Sequence, residues 1–148
     1  MKIRTDFVSN SSSSSFVLVG KIYTYDDIVK YAEKFPEMIS DINETYNASY
    51  NDIEEIIEYL GLAEIIEWLL DKFNADLEYE IEMNDYETFN VCLGIYPSEM
   101  KDNETLAEFK SKVNEELNKL NLPKTKNKIK FVTGGSDASG CRWFYNCG

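Results

Sequence analysis

Apolar residues follow two spacings along this chain, and the switches between them outline its elements. Leu77, Tyr79, Ile81 and Met83 alternate with Glu78, Glu80 and Glu82. That period of two marks a strand with one buried face and one wet face. After the turn-forming stretch Asn84 to Glu87, residues Phe89, Val91, Leu93 and Ile95 alternate in the same way. The two runs predict an antiparallel hairpin. Phe16 to Val19, ended by Gly20, reads as a buried strand, and Ile3 to Val8 as another. The serine run Ser11 to Ser15 between them is expected as a surface loop, because serine favours turns. Ile129 and Phe131 place a further strand over Lys128 to Thr133.

Elsewhere the spacing becomes helical. Thr24 is a candidate N-cap with Asp26 and Asp27 in the first turn, where carboxylates suit the helix dipole. Ile28, Tyr31, Ala32 and Phe35 follow on one face, and Pro36 stops that helix. The polar stretch Ser40 to Asn51 reads as a loop. Asn51 or Asp52 caps the next helix, whose stripe is Ile53, Ile56, Ile57 and Leu60. Gly61 shifts the phase to Leu62, Ile65, Ile66, Leu69, Leu70 and Phe73, giving one kinked helix or two short ones. A last helix, capped by Asp102 or Asn103, carries Leu106, Phe109, Val113, Leu117 and Leu120 and stops at Pro123.

In order these are strand, helices, strand, strand, helix, strand. The expected fold is α+β, a ferredoxin-like βαββαβ antiparallel sheet with helices on one face and an elaborated first crossover. One domain spans residues 1–148, with 1–15 as a mobile N-terminal segment. The aromatic tail Cys141 to Tyr145 either adds a strand or lies across the second face. On that face the row Glu78, Glu80, Glu82 is expected beside Thr88, Asn90, Cys92 and Tyr96.

Composition removes several kinds of chemistry. Hydrophobic residues make up 43% of 148, enough for a packed core rather than disorder. No apolar run approaches a membrane span, and the run after Lys2 and Arg4 is too short for a signal peptide, so a cytoplasmic protein is expected. The chain has no histidine, which removes the commonest acid–base group, the usual triads and most catalytic zinc sites. Cys92, Cys141 and Cys147 are odd in number and irregular in spacing, which fits reduced thiols. No catalytic residue, metal or cofactor is expected.

Charge changes the picture most. The net charge is −12. From Asp26 to Glu87 nineteen acids face three lysines, whereas Lys119 to Lys130 holds five lysines and no acid. An acidic body repels nucleic acid and anionic lipid and favours a protein with a basic surface. The expected activity is therefore a non-enzymatic interaction module. Its first candidate residues are Glu78, Glu80 and Glu82, with the helix acids Glu54 and Glu58 beside them. A plain solvated face is the ordinary use of such residues. Acids spaced along helices, with Glu64, Glu67 and Asp71, also raise the alternative of a nucleic-acid mimic that inhibits a nucleic-acid-binding protein.

Two other segments hold chemistry. Gly134, Gly135, Ser136 and Asp137 open a glycine-rich stretch to Gly140, whose amides could cradle an anionic ligand of a small binding module or enzyme. The spacing matches neither phosphate-loop pattern, and no helix opens after it. Lys124, Lys126, Lys128 and Lys130 alternate without interleaved aromatics, so they read as a solvated strand entry. Trp143 and Phe144 are the expected seam if the chain forms a homo-oligomer.

The opening MKIRTDFVSNSSSSSFV resembles the first segment of small uncharacterised bacterial and phage proteins. The resemblance implies a source and assigns no activity.

Overall fold

The computed structural model describes residues 14–83, 89–125, 127–136 and 142–147. Ile3 to Val8, the turn at 84–87, Lys126, Asp137 and Cys141 lie outside them. The elements are β1 (Ser14–Thr24), α1 (Tyr25–Ala32), α2 (Pro36–Tyr46), α3 (Ile53–Leu60), α4 (Leu62–Lys72), β2 (Glu78–Met83) and β3 (Phe89–Ile95). A short 3₁₀ turn, Pro97–Glu99, leads to α5 (Leu106–Leu120), β4 (Lys130–Ser136) and β5 (Arg142–Cys147). The fold is α+β, and its sheet runs β2-β3-β1-β4-β5 with every neighbouring pair antiparallel.

The helix starts follow from local chemistry. Thr24 and Asp27 form a reciprocal capping box at α1, satisfying two amides that the first turn leaves orphaned. Asp52 caps α3 by accepting from Glu55 N–H. Gly61 holds a φ of 97°, a conformation that strains any side chain, and it breaks the apolar stripe into α3 and α4. The last helix is capped by Thr105 rather than Asp102 or Asn103, with its hydroxyl accepting from Glu108 N–H.

Two expected loops are structured. α1 already ends at Ala32, short of Phe35 and Pro36. Pro36 instead opens α2, which takes in Ser40 to Tyr46 of the expected loop, because a proline ring preorganises the first helical turn and its missing N–H costs nothing there. Met38 and Ile42, four apart, then bury that helix. The last serines of the run are strand: Ser14 and Ser15 pair with Ser136 and Gly135. Serine's turn preference yields where a neighbouring strand offers a full ladder.

All buried residues of the five α-helices share one core with Val19, Tyr23, Val91 and Leu93 of the central strands. The helices therefore cover one sheet face. Tyr31 Oη donates to Leu120 O, tying α1 to the last turn of α5. The other face carries a smaller cluster of Phe16, Leu18, Cys92 and Val132, with Ile22, Tyr96 and Phe144 packed against it.

That second face is concave. Gly20 and Gly94 are paired across β1 and β3 and point into it. A Cβ at Gly20 would stand 2.2 Å from Leu93 O, and one at Gly94 2.3 Å from Val19 O. The strands are pinched together on this side, a curvature that only glycine at both positions permits. The sheet curls until its edge strands β2 and β5 come within 8 Å between Cα atoms.

Candidate functional site

The glutamate row of β2 sits inside this curl and not on a wet face. Glu78 and Glu80 are each only 6% exposed. Glu82 Oε1 accepts from Asn90 Nδ2 at 2.8 Å, and Glu82 Oε2 accepts the backbone N–H of Phe144 at 2.6 Å. Alternation placed the three acids on the second face correctly. The expected wetness fails because β5 folds over that face. Two of the three residues first expected to meet a partner are thus unavailable to one.

By register, Glu78, Gly94, Gly20 and Lys130 form one row across four strands. The charged residues stand at its ends, and the two middle positions have no side chain. Cys92 lies in the adjoining row, opposite Glu80 and Ile22. Burial pushes its thiol up to about 12, and the Glu80 carboxylate adds to that effect while Lys130 opposes it. A thiol so held is protonated and poorly nucleophilic. It is free and fully buried, in keeping with a reduced thiol.

The expected anion cradle is also corrected. Gly134, Gly135 and Ser136 lie within β4, between β1 and β5, and pair on both sides. Their backbone is committed to the sheet ladder and presents no open ring of amides. Glycine at 134 has another use. Its cross-strand neighbours are Phe16 and Phe144, whose rings meet edge-on with centroids 5.6 Å apart. The aromatic tail is therefore an added strand, and Phe144 packs inward, away from the expected oligomer seam, while the Trp143 side chain lies outside the described part of the structure.

The helix acids remain at the surface. From α1 through α4 there are thirteen acids and three lysines. None of those thirteen is buried, and both Glu54 and Glu58 are exposed. Among the described residues, Lys72 with Glu37 is the ion pair in this layer.

Beside Glu54 and Glu58 lies a group of tyrosines that the apolar pattern gave no reason to single out. Tyr59 is 67% exposed and Tyr46 45%. Tyr50 stacks on Tyr59 with centroids 5.9 Å apart and planes 20° from parallel. Asn43 fixes the Tyr50 backbone from both sides, accepting its N–H at 2.8 Å and donating to its carbonyl at 3.0 Å. Tyr46 Oη donates to Glu64. That hydrogen bond raises the Tyr46 phenol above its usual range, and partial burial, Glu64, Glu67 and Tyr50 act in the same direction. Tyr59 departs from the Ile53, Ile56, Ile57, Leu60 stripe, and that is its one sequence signal.

Among the described residues no group of acids and cysteines has metal-binding geometry, and no helix is long and apolar enough to cross a membrane. A small apolar cavity of about 10 Å³ beneath α1 and α4, lined by Ile28, Tyr31 and Ile66 among others, has room for no more than a water. No protein-family model, curated protein or solved structure matches this chain.

Proposed function

We propose that this protein is an interaction module that engages a basic protein surface through its helical layer. The observation that carries the reading is the exposed acidic surface of α1–α4, centred on Glu54 and Glu58 of α3. A dense excess of carboxylates over lysines speeds encounter with a cationic partner and repels nucleic acid and anionic membranes. A nucleic-acid-binding protein, blocked by acids that imitate a phosphate backbone, is one partner of that kind. The order β2-β3-β1-β4, with helices between β1 and β2 and between β3 and β4, supports a ferredoxin-like framework to which β5 is added.

Capture from native lysate at low and high salt tests the reading, using the wild type and a variant carrying Glu54→Lys and Glu58→Lys. A partner held at low salt, lost at high salt and lost by the variant is expected. A partner retained through both changes overturns it.

A further inference from the structure

Resting on that reading, we propose that Tyr46, Tyr50 and Tyr59, with Glu55 and Glu64, form a docking surface for an arginine-bearing segment of the partner. A tyrosine as exposed as Tyr59 contributes little to the core. Stacking on Tyr50, whose backbone Asn43 fixes, makes it a preorganised plane facing solvent. Carboxylates border the plane. Glu55 lies one turn before Tyr59 on the same face of α3, held by Asn51 N–H and Asn51 Nδ2. Glu64 is held by Tyr46 Oη.

The chain's own cations supply a contrast. Lys34 covers Tyr31, Lys72 covers Phe35 and Trp68, and Lys112 covers Phe109. Among the described residues, no cation covers Tyr46, Tyr50 or Tyr59. Charge complementarity suits these rings to a partner's cation, and the plane selects its kind. A guanidinium stacks flat on an aromatic face while its edge donors reach carboxylates, whereas a compact ammonium gains less from the stack. Tyrosine and arginine are also favoured at the energetic centres of interfaces.

The test uses the full chain and two short peptides of equal charge, one alternating arginine with glycine and serine, the other lysine. Fluorescence anisotropy at low salt measures both against the wild type, Tyr59→Ala and Tyr59→Phe. The arginine peptide is expected to bind about tenfold tighter. Tyr59→Ala should erase that preference and Tyr59→Phe keep it, with melting temperatures unchanged because Tyr59 is exposed. Equal affinities, or a preference that survives Tyr59→Ala, overturn the tyrosine surface and leave the basic-partner reading standing. Binding of neither peptide overturns both. Sedimentation that finds salt-labile self-association, lost on replacing Lys124 and Lys128, makes a second copy the occupant and overturns the arginine segment.

Discussion

Glu82 and Phe144 join the two edges of the sheet: the Glu82 carboxylate on β2 receives the backbone N–H of Phe144 on β5 at 2.6 Å. An edge strand leaves a row of donors open to pairing with other chains. Here an acid from the opposite edge takes one of them, and the curl at Gly20 and Gly94 brings it within reach. Removing the acceptor strands a half-buried amide. Glu82→Ala is expected to cost about 1–3 kcal/mol, read as a lower urea midpoint. Faster hydrogen exchange at Phe144 N–H should accompany it. Unchanged exchange there would show that the amide does not depend on Glu82.

The glycine pair sets the curvature, so it should tolerate nothing larger. Gly20→Ala puts a methyl 2.2 Å from a backbone oxygen, and no flexible side chain can move aside. The loss should exceed about 3 kcal/mol, enough to abolish soluble folded protein or a cooperative melt. Gly94→Ala should behave alike, and Gly61→Ala, which has open space but a strained φ, should cost less.

Tyr31 carries a cross-tie between the first and last α-helices through Leu120 O. Tyr31→Phe leaves that carbonyl without its donor in a buried site. A loss of about 1–2 kcal/mol is expected by chemical denaturation, with no change in peptide binding, because Tyr31 is buried and takes no part in the Tyr50–Tyr59 stack.

Local rules carried most of the framework. Thr24 with Asp27, the alternation from Leu77 to Ile95 and the phase shift at Gly61 each depend on neighbours in sequence, and each was legible. The environment of Glu78 and Glu80 was not. Alternation gives the face of a side chain, but whether that face is wet depends on β5, more than fifty residues away. Gly134 and Gly135 misled for the same reason: a glycine beneath two aromatic rings has the composition of a flexible turn. The tyrosine group was missed because Tyr46, Tyr50 and Tyr59 come from three segments and meet only in the folded chain.

Burial raises the phenol of Tyr23 and the thiol of Cys92 to about 12 each. Both groups are neutral when protonated, so the folded state holds its protons more tightly than the unfolded chain. Their stabilisation is complete below the ordinary values of 9.0 for the thiol and 10.0 for the phenol, and is lost as pH rises toward 12. Urea midpoints should therefore fall between pH 9 and 12. Alkylation mapped by mass spectrometry at mildly alkaline pH should spare Cys92 in the native protein and modify it in urea. Rapid native labelling of Cys92 would mean that the second face opens.

The α3 acids give the sharpest separation of stability from binding. Glu54 and Glu58 are one turn apart, and α3 holds no basic residue. Like charges at that spacing cost a few tenths of a kcal/mol, and a glutamate followed four residues later by lysine recovers a similar amount. A lysine near the end of a helix also suits its dipole. Glu58→Lys should therefore stabilise the protein by about 0.5–1 kcal/mol, seen as a rise of about 1–4 °C in the melting temperature. If these carboxylates only keep the chain soluble, a more stable variant should bind whatever the wild type binds. If they meet a basic partner, the same variant should melt higher and bind it more weakly, with the loss greatest at low salt. A melting temperature that falls would place Glu58 in a local contact that helix spacing alone does not describe.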